Sequence, residues 1–135
     1  MLALNTRVMT PWGYKELQNL ERGDKILCYG PTTNVYAALL NVKYEGQRRL
    51  YRYTFGQKYI DCTPFKKVLF DHRFCKIRLA TLKTKEIFRI QSLNGPLMFT
   101  KASYIGYEHT CNIEIDTKYH YFFANDLIIG DSTLW

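Results

Sequence analysis

The 135-residue sequence has no long hydrophobic run and no leader-like start. No segment approaches the roughly 20 consecutive apolar residues that span a bilayer. No charged start precedes an apolar stretch and a cleavage site, so we predict no export signal. We therefore expect a cytoplasmic protein without a membrane partner.

The cysteines are few in number and are not arranged as in a metal site. The four cysteines lack paired spacing and lie within or beside apolar runs: Cys28, Cys62, Cys75 and Cys111. Buried free thiols in a reducing compartment are the interpretation that this pattern favours. No metal and no organic cofactor is implied.

Acidic residues are also few, with 12 Asp and Glu against 19 Lys and Arg. The net charge of +7 raises the question of nucleic acid. Because the basic residues are spread over many short segments without a reader motif, a solvated basic face is favoured and a nucleic-acid partner is unlikely. Residues 1–97 hold 17 basic and 7 acidic residues, whereas residues 98–135 hold 2 and 5. The two portions are electrostatically complementary, as two associating pieces would be.

Aromatic and β-branched residues are abundant, and they predict the fold class. Apolar content of 47% is enough for one domain with a core. From residue 35 to residue 69, runs rich in Val, Ile, Tyr and Phe recur every eight to twelve residues between turn signals. That rhythm predicts an all-β fold of short strands, with further strands at 73–79 and 86–91. Only residues 14–21 show helical character, which predicts one short helix.

The C-terminal stretch carries the densest pattern. Apolar runs at 111–115 and 121–124 flank a polar turn, and a third run at 127–129 follows Asn125-Asp126. These runs predict a hairpin followed by a final strand.

Three segments resemble the conserved blocks of inteins, the protein-splicing domains. They are the C-terminal segment with His120-Tyr-Phe-Phe-Ala-Asn-Asp126, the opening Met1-Leu-Ala-Leu-Asn-Thr6-Arg-Val8 with Gly23-Asp24 at its end, and Cys62-Thr-Pro64. The likeness covers about residues 1–132. It implies the Hint (hedgehog/intein) fold, an all-β horseshoe with pseudo-twofold halves and termini that meet in the middle. No endonuclease domain fits this length, so the resemblance implies a mini-intein.

The resemblance implies autocatalytic excision of the domain with ligation of its flanking extein sequences, which are then its partners. Such a domain works once on its own backbone, so its status as an enzyme stays open. The implied catalytic positions are Met1, Thr63, Lys66, Asn112, His120, Gly130, Asp131 and Ser132. Three of them match the family, namely Thr63, His120 and Ser132. The other five depart from it. Met1 and Lys66 stand where the family has Cys and His, and Asn112 stands where it has Asp. Gly130 and Asp131 stand where it has His and Asn.

Met1 is the departure with the largest chemical consequence. A thioether has no proton to lose and cannot accept the acyl group in the first step. Met1 is either a start residue standing in for Cys or the sign that the natural protein lacks this step. The domain as written is therefore expected to be impaired or inactive.

The other positions each have a structural alternative. Thr63 alternatively caps local backbone, Lys66 is either a proton donor or a solvated lysine, and His120 is either catalytic or structural. Asn112 can hydrogen-bond but cannot accept a proton.

At the C-terminal junction, Gly130 removes one proton source. Asp131 can cut the next bond only slowly, through a strained anhydride. Ser132 matches the acceptor position, so residues 132–135 are the start of a downstream flank or a simple tail.

The domain is expected to span residues 1–131, with a turn-rich break at residues 92–96. Met98 follows that break and begins a segment like a separately encoded C-terminal intein piece. The chain therefore joins two halves of a split intein, 1–97 and 98–131, or it is a contiguous mini-intein with a surface loop at 92–97. Two other functions compete with splicing: a degenerate Hint scaffold retained for binding, and a small basic β-domain that binds nucleic acid.

Overall fold

The computed structural model describes residues 1–70, 73–76 and 89–133. The predicted strands at 73–79 and 86–91 therefore fall partly outside the described residues. The strands are β1 Leu2–Ala3, β2 Arg7–Thr10, β3 Gly13–Glu16, β4 Lys25–Cys28, β5 Val35–Phe55, β6 Lys58–Cys62, β7 Lys67–Phe70, β8 Arg73–Lys76, β9 Arg89–Ser92, β10 Gly95–Ile115, β11 Tyr121–Ala124 and β12 Leu127–Gly130.

These strands join into one antiparallel sheet with the order β3-β2-β11-β4-β5-β6-β1-β10-β9-β12-β7-β8. The prediction of an all-β fold is confirmed. No helix in the described part of the chain is long and apolar enough to cross a membrane.

The predicted helix at residues 14–21 is wrong. Residues 13–16 form β3, which pairs with β2 around the turn at Pro11-Trp12, and only Leu17–Asn19 make a single 3-10 turn. The polar and apolar residues of this segment alternate with a helical period. The hairpin nevertheless gives its backbone groups more hydrogen-bond partners than an isolated helical turn would. Tertiary pairing therefore overrides the local preference.

The prediction of several short strands between residues 35 and 55 is also wrong, because β5 is one strand of 21 residues. The strand β10 has the same length and pairs with β5 along most of it. One shift in this pairing lies between Thr110 and Cys111, opposite Gly46, whose φ is +74°. The register skips Glu45, which is thus the extra residue of a bulge beside Gly46, and the glycine does not end the strand.

The three C-terminal strands exist where the sequence predicts them, but their pairing differs. The hairpin is β11 with β12, closed by Asn125 and Asp126 with φ of 49° and 66°. Two successive left-handed residues make the two-residue turn that suits a twisted hairpin. β10 pairs instead with β5, β1 and β9.

The predicted break at residues 92–96 is a tight hairpin turn between β9 and β10. Ser92 pairs with Gly95, so the turn consists of residues 93 and 94. Residues 95–97 already belong to β10 and pair with β9, so they are strand and not loop. The division of the domain into two associating chains stays a prediction.

The start of the chain is fixed in the middle of the sheet. β1 has only two residues, yet it lies between β6 and β10, because Leu2 pairs with Cys62 on one side and with Cys111 on the other. All three side chains are fully buried, and the two thiols are free. The first residue of the chain is therefore held against the core.

Candidate active site

Both ends of the domain open into one cleft of about 600 Å³. Six of the eight predicted site residues line it: Met1, Thr63, Lys66, Asn112, Asp131 and Ser132. His120 reaches the same place through Asp131, to which it is bonded. The structure thus brings together residues that are far apart in sequence.

Thr63 holds Met1 by two hydrogen bonds. The backbone N–H of Thr63 donates to the Met1 carbonyl at 3.0 Å. The Met1 amine donates to Thr63 Oγ1 at 3.1 Å. The hydroxyl therefore lies beside the nitrogen to which an upstream residue would be attached.

Lys66 is buried in the cleft wall and is only 7% exposed, so the alternative of a solvated lysine is wrong. Burial lowers the pKa of its amine, while the Cys62 thiol and the Asp131 carboxylate oppose that shift. Burial likewise lowers the pKa of the Met1 amine from 8.0 to about 5, and the charge of Lys66 adds to this effect. Two amines with weakened affinity for protons therefore share the site.

The two cysteines beside β1 are not activated. Burial raises the pKa of the Cys62 thiol to about 12 and that of Cys111 to about 11. Nearby positive charge from the Met1 amine and from Lys66 opposes both shifts. These thiols stay protonated and cannot replace the nucleophile that Met1 lacks.

Asp131 is fully buried at the other end of the cleft. Its Oδ2 accepts the backbone N–H of Ile115 at 3.0 Å and lies 3.2 Å from His120 Nδ1. The Asp131 N–H donates to the His120 carbonyl at 2.8 Å. His120 has a left-handed φ of 60°, and its N–H is bound by Thr117 Oγ1 at 2.9 Å. The imidazole is thereby fixed against the carboxylate.

The remaining predicted residues differ in how they meet the cleft. The Ser132 N–H donates to the Ile113 carbonyl at 2.8 Å, which fixes the backbone after Asp131. Asn112 Oδ1 is buried and has no hydrogen-bond partner within the described residues. Gly130 ends β12 opposite Tyr121, and without a side chain it adds no group to the cleft.

Sequence reasoning missed three contributors. Cys62 and Cys111 oppose the lowering of the pKa of the Met1 amine, and Thr133 donates hydrogen bonds to the Asp131 carboxylate. The core pairing of β1 is not encoded in any local motif, so the thiols give no signal in the sequence. The contact with Thr133 has a weak signal in the sequence, because an Asp side chain often accepts a bond from the backbone N–H two residues on.

The pKa of the Met1 amine predicts a pH dependence of stability. The unfolded amine titrates near 8 and the folded one near 5, so the unfolded state binds more protons between these values. The free energy of unfolding is therefore expected to rise by about 1 to 3 kcal/mol from pH 5 to pH 8. This gain is lost again when the pH falls back to 5. Thermal unfolding midpoints over this range measure the effect.

The matched control is the same chain with an acetylated Met1 nitrogen, which cannot titrate. Its stability should depend less steeply on pH, while the contribution of Lys66, which has the same sign, remains in both forms. Equal slopes for the two forms would contradict the assignment to Met1.

Solved structures share this architecture, although no protein-family model and no curated protein matches the sequence. The crystal structure of the gp41-1 intein is similar, with 25% sequence identity, a TM-score of 0.79, and coverage of 96% of this chain and 97% of that one. The MchDnaB-1 intein has 18% identity, a TM-score of 0.79 and coverage of 97% of this chain and 100% of its own. A DnaB intein from Synechocystis sp. PCC 6803 has 17% identity, a TM-score of 0.80 and coverage of 97% of both chains.

The architecture is therefore the Hint fold of inteins, and the predicted fold class is confirmed. The chain shares this fold over nearly its whole length with inteins of similar size, which it covers almost completely. Protein splicing is the general function that these likenesses support.

Proposed function

We propose that this domain excises itself from a precursor and joins its flanking sequences, and that Met1 blocks the first step in the chain as it stands. The observation that carries the proposal is one cleft lined both by Met1 and by Asp131 and Ser132, the residues of the downstream junction. Proximity of this kind lets one acyl group pass between two distant junctions.

At the upstream junction, the side chain of residue 1 must attack the preceding carbonyl. A thiol at this position would take the acyl group from the nitrogen of residue 1, which Thr63 Oγ1 contacts at 3.1 Å. Thr63 then stabilises the leaving nitrogen or the developing oxyanion. Lys66, buried in the same cleft with a lowered pKa, exchanges the proton in place of the family's histidine.

At the downstream junction, Ser132 receives the acyl group. Asp131 then cleaves the peptide bond between residues 131 and 132. A carboxylate oxygen attacks the carbonyl carbon of Asp131, and the bond to the Ser132 nitrogen breaks while that nitrogen takes up a proton. Water then opens the cyclic anhydride. His120, which lies 3.2 Å from the carboxylate, supplies or receives the proton. Asn112 lines the same cleft and offers a buried acceptor oxygen for the hydrogen of the Ser132 hydroxyl.

The flanking sequences are thus the reaction partners, and residues 132–135 are the start of the downstream one. Two observations support a split origin of the domain. The charge changes sign between residues 1–97 and 98–135, and β10, which begins at Gly95, makes its longest pairing with β5 of the first portion. A complementary pair of chains, 1–97 and 98–131, is therefore included in the proposal, as is action in the cytoplasm.

The test places the domain between two reporter proteins and compares the chain as written with Met1→Cys. The cysteine form is expected to release the upstream reporter when a free thiol is added, and to form a ligated product of both reporters only slowly, because Asp131 cuts the downstream bond slowly. The Met1 form should release none, because a thioether cannot form the ester. Intact mass and gel analysis identify each product.

Met1→Ser is the matched control, since it restores a weaker nucleophile of similar size to the thiol. Intermediate release would support the role of residue 1. A folded Met1→Cys domain that leaves both junctions intact would refute splicing and favour a Hint scaffold retained for binding.

A further inference from the structure

Thr133, in the segment that follows the domain, folds back onto Asp131. Its N–H donates to Asp131 Oδ1 at 2.9 Å, and its hydroxyl donates to the same oxygen at 2.6 Å. Hydrogen bonds to a carboxylate are about twice as strong as neutral ones. The second residue of the downstream segment therefore contacts the reacting side chain directly.

The other carboxylate oxygen is bound by the body of the domain. Oδ2 accepts the Ile115 N–H at 3.0 Å, and this bond is buried. A backbone N–H can only donate, so each of the two oxygens faces a group that needs an acceptor. A carboxamide would place its NH₂ against either Ile115 or Thr133. The surroundings of residue 131 thus suit a carboxylate better than the asparagine that inteins commonly have there.

The backbone leading to Thr133 is fixed independently of its side chain. The Asp131 N–H is bound by the His120 carbonyl and the Ser132 N–H by the Ile113 carbonyl, both at 2.8 Å. The domain therefore positions residues 131 and 132 with main-chain bonds that do not depend on their side chains. The hydroxyl of Thr133 makes a contact with Asp131 that depends on which side chain the downstream sequence brings.

We propose that Thr133 is a specificity-determining residue, through which the domain selects a downstream flank with a hydroxyl at its second position and holds a carboxylate at position 131. This inference rests on the proposed function, because residues 132 and 133 are substrate only if the domain splices. Serine can make the same two donations. Valine has the shape of threonine but lacks the hydroxyl.

The first experiment measures the contact itself in the folded chain. Hydrogen exchange of the Ile115 and Thr133 amides is followed by NMR in the chain as written, in Thr133→Ser and in Thr133→Val. We expect exchange at Ile115 to become about tenfold faster in Thr133→Val, because the carboxylate loses one of its charge-assisted bonds and moves more freely. Thr133→Ser should retain most of the protection.

Two further variants sharpen this result. Thr100→Val makes the same replacement at an exposed position remote from the cleft and should leave the Ile115 amide unchanged. Asp131→Asn should accelerate exchange at Ile115 or at residue 133, since one of the two N–H groups then faces an NH₂. Equal protection of the Ile115 amide in the chain as written, in Thr133→Ser and in Thr133→Val would overturn the proposal, as would undiminished protection in Asp131→Asn.

The second experiment measures cleavage after Asp131 in the Met1→Cys reporter fusion with the same replacements at position 133. A loosened carboxylate is expected to react about tenfold more slowly in Thr133→Val, whereas Thr133→Ser should keep most of the rate. An unchanged or increased rate in the valine variant would refute the selection of a hydroxyl. If every fusion is inert at both junctions, the splicing function fails, while the exchange data still decide whether Thr133 holds Asp131.

Discussion

Replacing Lys66 by methionine in the Met1→Cys domain is expected to slow release of the upstream reporter by about 10² to 10⁴-fold, the usual contribution of a positioned proton donor or acceptor. Lys66 is the buried cationic side chain nearest in sequence to Thr63, which binds the Met1 nitrogen. Methionine keeps the length and apolar stem of lysine but cannot exchange a proton. Thiol-induced cleavage, followed by mass spectrometry, measures the rate.

The same replacement removes the cost of burying an amine but also takes positive charge away from the buried Asp131 carboxylate, so we expect these two effects on the free energy of unfolding to offset each other to within about 2 kcal/mol. A slower reaction in a protein that denaturant unfolding shows to be still folded separates a catalytic effect from damage to the fold. Lys67→Met is the matched control: it removes the neighbouring amine, which is less buried, and should leave the rate within about threefold. Equal rates for the Lys66 and Lys67 variants would remove Lys66 from the mechanism.

Replacing Asp131 by alanine is expected to abolish cleavage after residue 131 and to destabilise the domain by about 2 to 5 kcal/mol. The carboxylate is fully buried and accepts bonds from Ile115 and Thr133. Alanine leaves the buried Ile115 N–H without an acceptor, which costs about 1 to 3 kcal/mol, and it also removes the charge-assisted bonds from the exposed Thr133. Denaturant unfolding measures the loss, and intact mass shows whether the bond is cut.

Asp116→Ala is a suitable comparison, because Asp116 follows β10 and is exposed. It should change the free energy of unfolding by no more than about 0.5 kcal/mol. A loss of less than about 1 kcal/mol in Asp131→Ala would mean that the donors find other partners, and it would weaken the role given to the carboxylate.

The linear motifs locate much of the site because several family positions lie in short contiguous blocks. Thr63 and Lys66 belong to one such block, and His120 precedes the β11–β12 hairpin in another. The order of residues within each block is enough to align it with the family. The fold then brings the blocks close together in space. The same reasoning finds β11 and β12 themselves, whose apolar runs are bounded by turn residues.

What the sequence does not show is which strands meet. The sequence predicts that the run at 111–115 pairs with β11. In the structure, this run is the end of β10 and pairs with β5. Pairing of distant strands depends on burial of both faces, which no local pattern reports. Burial of Lys66 is hidden for the same reason, since a Lys-Lys pair in a polar context resembles a solvated surface.

The short strand β1 sets an order in time for the reaction. Its two residues need β6 on one side and β10 on the other, and β10 ends at Ile115. During synthesis from the N-terminus, Leu2 lacks its partner in β10 until that strand, late in the sequence, has been made. For the proposed reaction, we therefore expect a precursor truncated before β10 to keep its upstream junction intact.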